Sequence, residues 1–143
     1  MPVSDCFVSI VAPLFNDSVI VADFVTDVIQ VLRQNYSNYE LVLVDDGSDD
    51  NTTAILNELL GRYECVRVIR LSRKFGEEIA IFAGLDTVIG DFVVVMIPNW
   101  DPPSLIPELV QTARAGSEVV FGVSSAPRAD TISIRVGAAI FDW

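Results

Sequence analysis

The chain alternates, almost without exception, between short runs rich in Val and Ile and longer stretches whose apolar residues recur every three or four positions. Five runs read as strands: "FVSIVAPLF" from Phe7, "YELVLVDDGS" from Tyr39, "VRVIRLS" from Val66, "DFVVVMI" from Asp91 and "SEVVFGVSS" from Ser117. Between them lie four helix-like stretches. In "DSVIVADFVTDVIQVLRQN", Val21, Phe24, Val25, Val28 and Leu32 share one helical face, with Asp17 or Ser18 as the N-cap. "DDNTTAILNELLGRY" turns Ile55, Leu56, Leu59 and Leu60 inward, with Asp50 or Asn51 as the cap and Gly61 near its end. "FGEEIAIFAGLDTVIG" and "PPSLIPELVQTARAG" complete the set, the last with proline where a helix start tolerates it.

Strands of four to six residues with little in-out alternation are expected to be buried on both faces. Alternated with helices, they predict a three-layer α/β/α sandwich around a mainly parallel sheet with right-handed crossovers. At 143 residues the chain is long enough for one such domain with one core. Residues 1–125 carry the alternating pattern. Residues 126–143, "APRADTISIRVGAAIFDW", begin polar and turn amphipathic, and Ile134, Gly137, Ala138 and Phe141 fall on one helical face. That face has nothing after it to complete its packing, so the tail reads as the start of a C-terminally truncated segment, with a docked C-terminal helix as the alternative; the same face could pair two copies of the chain through residues 134–143.

Composition removes several classes of function. There is no histidine, which eliminates His bases, Ser-His and Cys-His pairs and His metal ligands together. Cys6 and Cys65 stand far apart, outside any metal-ligand spacing, and read as free thiols. The net charge of −11 opposes nucleic acid and anionic lipid as partners. No apolar run approaches the roughly 18 residues of a membrane span, and the N-terminus lacks the basic-then-apolar pattern of a secretory signal.

In a parallel sheet, ligands bind beyond the carboxyl ends of the strands. The unusual polar clusters stand at those ends: "PLFND", "VDDGSDD", "LSRKFGEE" and "PNWD". In the second, Asp49 and Asp50 read as first-turn and capping residues, whereas the adjacent acids Asp45 and Asp46 repel each other without a partner. An EF-hand is ruled out because Asp50 occupies the position that needs the hinge glycine. In the third, Arg70, Arg73 and Lys74 form the one dense basic cluster, either a solvated turn or an anion site beside a helix start.

Taken in order, "VSIVAPLFND", "ELVLVDDGSDDNT", "VIRLSRKFGEEIAIFAGLDTVIGDFVVVM" and "DPPSLIPEL" resemble the nucleotide-diphospho-sugar domain of family-2 inverting glycosyltransferases, nearest to the polyprenyl- or dolichol-phosphate sugar synthases. The resemblance spans roughly residues 5–125 and implies a GT-A fold. It implies a UDP- or GDP-sugar donor and transfer to a polyprenyl phosphate or a glycan in cell-envelope polysaccharide synthesis. It places the chain in the cytoplasm, at the inner face of a membrane through segments outside this sequence. By position, Pro13, Phe15, Asn16 and Asp17 would lie along the nucleoside, Asp46 would read the base, and Asp45 would support that loop. Arg73 and Lys74 would approach the diphosphate or the acceptor phosphate. A receiver-type signalling domain also carries acids at strand ends, but this chain has Pro13 and Arg73 where its acid pair and phospho-acceptor would stand.

The chain departs from the family at the fourth strand. An Asp-x-Asp pair is expected there, with a further Asp before two prolines. Here Ile97, Pro98, Asn99, Trp100 and Asp101 precede Pro102, and only the last acid is kept. The family's Mg²⁺ or Mn²⁺ would be left with Asp101 and Asn99 as candidate ligands, too few carboxylates for a hard cation. The branch also carries Asn and then Lys where Lys74 and Glu77 stand, so one positive charge has moved. These losses support a competing expectation, a catalytically silent GT-A-like binding or assembly module. A phosphate acceptor is already ionised and needs no base, whereas a hydroxyl acceptor would need one; the resemblance puts the acceptor-side elements after residue 143, so no catalytic residue is assigned.

Overall fold

The structure, a computed structural model, describes residues 4–116, 120–123 and 139–142, the last two segments as backbone. It divides into two compact units, residues 1–104 and 105–143.

The first unit holds the sheet. Strand β1 is Ser4–Leu14, followed by helix α1 (Val21–Asn35), β2 (Tyr36–Asp45), α2 (Thr52–Arg62), β3 (Val66–Arg70), α3 (Glu77–Leu85) and β4 (Phe92–Val95). The strands lie in the order β3-β2-β1-β4, and every pairing is parallel. The chain therefore steps outward from β1 to β3 and then crosses back through α3 to place β4 on the other side of β1. Helices α1 and α2 pack on each other and on β2 and β3, while α3 packs on β1 and β2. Because the winding direction reverses after β3, a right-handed crossover puts α3 on the opposite face from α1 and α2, giving the three layers.

The core follows from the pattern. Val8, Ile10, Val11, Ala12, Leu41, Val42, Leu43 and Val44 are fully buried in the two central strands. Val21, Phe24, Val25, Val28, Ile29 and Leu32 supply the inner face of α1. On the α3 side, Val11, Val42, Val44 and Ala80 form a cluster flanked by Ile69, Leu71, Ala83, Leu85 and Val88. Gly84 lets α3 sit directly on the sheet, since a Cβ there would overlap Val11 and crowd Val44.

Several expectations are corrected. Strand β4, the edge strand of this sheet among the described residues, alternates, with Val94 buried while Val93 and Val95 are exposed, because only one of its two faces is covered. On α2 the buried residues are Thr52, Leu56 and Leu59, whereas Leu60 is exposed and Ile55 half-buried, so the buried stripe is narrower than expected. Helix α1 starts after Ile20, and Asp17 turns its carboxylate to the Phe15 N–H in the preceding loop instead of capping it. Helix α2 starts after Asn51, which holds the N-cap position without a side-chain cap bond, while Asp50 accepts the N–H of Thr52, the first residue of the helix.

A 3₁₀ turn at Pro103–Leu105 ends the first unit and leads into α4 (Ile106–Arg114) of the second, which buries Ile106 and Val110. Strand β5 (Val120–Val123) pairs in parallel with β6 (Ala139–Asp142). Phe141, placed above on a helical face, thus lies in an extended strand whose backbone groups are taken up by β5. Ile134, Gly137 and Ala138 lie outside the described residues. No helix among the described residues is long and apolar enough to cross a membrane.

Candidate functional site

Each parallel strand of the first unit delivers its loop to the same edge, and these loops are cross-linked to one another. Asn16, in a left-handed conformation (φ 51°), donates its backbone N–H to Ser48 Oγ at 3.0 Å and accepts the Asp49 N–H on Oδ1 at 2.9 Å. This reciprocal pair ties the loop after β1 to the loop after β2. Ser18 adds a longer bond from its N–H to Asp50 Oδ2 at 3.4 Å.

Asp45 and Asp46 resolve their mutual repulsion by facing different partners. Asp45 is buried and accepts the Ser48 N–H at 3.0 Å and the Thr53 hydroxyl at 3.0 Å, which closes the loop on the first turn of α2. Asp46, only 2% exposed, accepts the Phe75 N–H at 2.7 Å on Oδ1 and the Gly76 N–H at 3.0 Å on Oδ2. Its own N–H donates to the Leu14 carbonyl at 2.8 Å. A single residue thereby joins the ends of β1, β2 and β3. Gly47 (φ +72°) makes this contact sterically open: a Cβ there would lie 2.5 Å from both the Arg73 carbonyl carbon and the Lys74 nitrogen.

The loop after β3 presents two cations on aromatic faces. The Lys74 ammonium lies 3.8 Å from the Phe15 ring centroid, and the Arg73 guanidinium 4.4 Å from that of Phe75. At exposed sites such contacts contribute about 0.5–1 kcal/mol each. Their larger effect is directional, since they fix where two flexible side chains point.

These loops enclose a cleft of about 300 Å³ lined by Pro13, Leu14, Phe15, Asp17, Asp46, Lys74, Glu77, Ile97, Pro98 and Trp100. Of the residues singled out in sequence, Pro13, Phe15, Asp17, Asp46 and Lys74 line it. Asn16 and Asp45 stand behind the wall and hold it, and Arg73 lies on the Phe75 ring outside the lining. Leu14, part of the same Pro13–Asp17 turn expected along the nucleoside, lines it too, and four lining residues were not assigned to the site: Glu77, Ile97, Pro98 and Trp100. The sequence signal for the last three was present, because they occupy the end of the fourth strand where acids were sought.

Asp17 is partly buried in the cleft wall and accepts the Phe15 N–H at 3.0 Å. Burial, with smaller repulsion from Asp50 and Glu77, raises the pKa of its carboxyl, while the Phe15 bond opposes the shift. On the rim, Asp50 accepts the Thr52 hydroxyl and N–H, and these bonds hold its carboxyl down at about 2.

The end of β4 carries no cation cage. Asp101 Oδ2 accepts the Ile97 N–H at 2.7 Å, so this carboxylate closes the turn of its own loop. Asn99 is exposed and left-handed (φ 73°), and neither it nor Asp101 lines the cleft. The lining at this strand end is Ile97, Pro98 and Trp100, which supply no carboxylate. Among the described residues, no three His, Cys, Asp or Glu side chains gather so as to hold a metal ion.

Comparison with known proteins agrees with the architecture. The Bacillus subtilis protein named "Uncharacterized glycosyltransferase YkcC" is 37% identical over 134 residues, covering 93% of this chain and 42% of its own length. An "Undecaprenyl-phosphate 4-deoxy-4-formamido-L-arabinose transferase" of Photorhabdus laumondii is 34% identical over 137 residues, covering 94% and 42%. The chain thus spans about two fifths of the length of these relatives. Among solved structures, the mannosyltransferase PcManGT of Pyrobaculum calidifontis, in complex with GDP-Man and Mn²⁺, superposes with a TM-score of 0.66 at 17% identity, covering 76% of this chain and 32% of that one. That likeness concerns the fold, which is the GT-A type. The family model "Glycosyl transferase family 2" matches residues 9–137, nearly the whole sequence, and the chain belongs to that family.

Proposed function

We propose that the cleft binds the nucleotide part of a UDP- or GDP-sugar, and that the protein transfers the sugar with inversion to a polyprenyl phosphate on the cytoplasmic side of a membrane. One observation carries the reading: the loops leaving all four parallel strands are hydrogen-bonded or packed into a single wall around Asp46 and Lys74. A concave, partly apolar cleft at that edge of an α/β sheet is where such folds bind ligands. Phe15 and the exposed Trp100 offer apolar surface for a base, and Asp17 offers an acceptor for a ribose hydroxyl.

In the proposed reaction a phosphate oxygen of the acceptor forms a bond to the anomeric carbon from the face opposite the leaving group. The bond from that carbon to the diphosphate oxygen breaks, and the nucleoside diphosphate departs with the electron pair. The acceptor oxygen is already ionised, so no general base is required. The polyprenyl acceptor is supported by the names of relatives such as the undecaprenyl-phosphate transferase.

The test is transfer of radiolabelled sugar from UDP- and GDP-sugars to undecaprenyl phosphate in detergent, with the product's anomeric configuration read by NMR. Formation of an inverted glycolipid supports the proposal. Tight nucleotide binding without transfer or sugar-nucleotide hydrolysis supports instead a silent binding module, the reading favoured by the absence of carboxylates from the β4 end of the cleft. Absence of nucleotide binding overturns both.

A further inference from the structure

Three carboxylates line the cleft, Asp17, Asp46 and Glu77, but both Asp46 oxygens accept backbone N–H groups and, among the described residues, no three acids gather to hold a metal ion, so the lining does not fit a divalent cation shared between carboxylates and a diphosphate. Such a cation takes hard oxygen ligands, ordinarily two or more from carboxylates. At the end of β4 the lining is an aliphatic side chain, a proline and an indole. Asp101, the one acid kept there, has an oxygen committed to the Ile97 N–H at 2.7 Å and lies outside the lining. A diphosphate entering a chain of net charge −11 still needs positive charge close by.

Lys74 is the one basic residue among those lining the cleft. Two independent features hold it there. Its ammonium is seated on the Phe15 ring, which itself lines the cleft. Its backbone is pressed against Gly47, and the next two N–H groups are locked onto the buried Asp46 carboxylate. The carrier of the charge is thus pre-positioned by the β2 and β3 loops, where family resemblance expects an asparagine. The expected lysine position, three residues on, holds Glu77 at the start of α3. The two changes read together: positive charge has moved from the helix start onto the loop.

We propose that Lys74 neutralises the donor diphosphate in the place of a carboxylate-held metal ion, so that nucleotide-diphosphate binding by this protein is independent of Mg²⁺ or Mn²⁺. This rests on the donor-site reading above. Three acids of the lining, Asp17, Asp46 and Glu77, oppose the ligand's charge, which makes the one lysine more necessary; Asp46 opposes it less than its charge suggests, because each of its oxygens already accepts a backbone N–H, and Asp17 accepts the Phe15 N–H.

Calorimetry with UMP, UDP, GMP and GDP, in EDTA and then with excess Mn²⁺, tests it. The expected result is that one diphosphate binds in EDTA about tenfold tighter than its monophosphate, the gain of one charge-assisted contact, and that Mn²⁺ leaves the affinity within about twofold. Lys74→Met, which keeps an unbranched stem against Phe15, should collapse the diphosphate-to-monophosphate ratio toward one, and Lys74→Arg should restore most of it. A thermal melt of each variant separates lost binding from lost fold. Diphosphate binding that requires Mn²⁺, or a ratio unmoved by Lys74→Met in a folded variant, overturns the inference while leaving the donor-site reading intact. Failure of all four nucleotides to bind under either condition overturns the donor-site reading, and this inference with it.

Discussion

The carboxylate of Asp46 and the backbone of Gly76, thirty residues apart in sequence, are joined by a 3.0 Å hydrogen bond, with the neighbouring Phe75 N–H bonded to the second oxygen at 2.7 Å. The acid nearest the middle of the cleft is therefore first a clamp between two loops. Replacing it by alanine leaves two part-buried N–H groups without their acceptor. Hydrogen bonds to a charged acceptor contribute about 1.5–3 kcal/mol each, and partial hydration of a surface loop recovers some of that. Asp46→Ala is expected to lower stability by roughly 2–4 kcal/mol. Asp46→Asn keeps one acceptor and should fall in between. Urea denaturation gives the magnitudes, and faster amide exchange at Phe75 and Gly76 identifies the clamp as the cause.

Gly47 and Gly61 make a matched pair of tests. At Gly47 the backbone is left-handed (φ +72°), and a Cβ would lie 2.5 Å from the backbone of Arg73 and Lys74. Left-handed strain of roughly 1–2 kcal/mol adds to overpacking of about 1–3 kcal/mol, so Gly47→Ala is expected to cost on the order of 3 kcal/mol. Gly61 lies inside α2, and a Cβ there meets nothing within 4 Å. Gly61→Ala should therefore stabilise by about 0.5–1 kcal/mol. Opposite shifts of the urea midpoint check both, and a Gly47→Ala variant as stable as the parent would contradict the close approach of the two loops.

The parallel sheet was legible because its evidence is local. Buried strands announce themselves by runs such as Leu41 to Val44, and α1 by the spacing of Val21, Phe24, Val25, Val28 and Leu32. The polar loops were legible for the same reason, since strand ends follow once the strands are read. What the sequence did not carry was the choice among partners. Asp17 has the chemistry of an N-cap, yet its carboxylate bonds Phe15, because the chain turns before α1 begins, whereas Asp50 does reach the first N–H of α2, that of Thr52. Asp46 finds its partners near residue 75, a pairing set by strand order and not by any local pattern. Val93 and Val95 carry the same residue type as the buried Val42 and Val44, and only the position of β4 in the sheet separates them. Phe141 fitted a helical spacing over a few residues, a pattern too short to distinguish helix from the strand it forms.

Glu40 is 6% exposed and anchors a second network, away from the cleft. Its Oε1 accepts the Ser9 hydroxyl at 2.8 Å and the Ile89 N–H at 3.2 Å, and its Oε2 pairs with Arg67 at 2.9 Å. Ser9 Oγ in turn accepts the Gly90 N–H at 2.9 Å, so the segment entering β4 hangs on this carboxylate. Glu40→Ala leaves Ser9, Ile89 and the half-exposed Arg67 without their acceptor and is expected to cost about 2–4 kcal/mol, mostly from the two buried-side hydrogen bonds to its charge. Glu40→Gln keeps an acceptor for Ser9 and Ile89 and should cost about half as much. The comparison is made by chemical denaturation, with exchange at Ile89 and Gly90 as the local readout. Equal costs for the two variants would count against the hydrogen-bonded arrangement.

Asp50 and Asp17 should leave opposite marks on the pH dependence of stability. The Thr52 bonds hold the Asp50 carboxyl at about 2, below its ordinary 3.8. Because the folded value is the lower one, its contribution is complete above 3.8 and is lost as pH falls toward about 2. Asp17 behaves in reverse: burial raises its folded pKa, so protonation favours the folded state and that contribution disappears as pH rises through the raised value. Asp50→Asn should flatten the acid-side loss of stability between 3.8 and about 2. Asp17→Asn should remove a penalty at neutral pH and bring the neutral and mildly acid midpoints closer together. Urea midpoints across the acid range, with the carboxyl carbon shifts followed by NMR, check both signs. An Asp50 titrating at its ordinary value would mean that the Thr52 and Ser18 bonds are not formed in solution, and the link between the β1 and β2 loops would then rest on Asn16 and on the Asp46–Leu14 backbone bond.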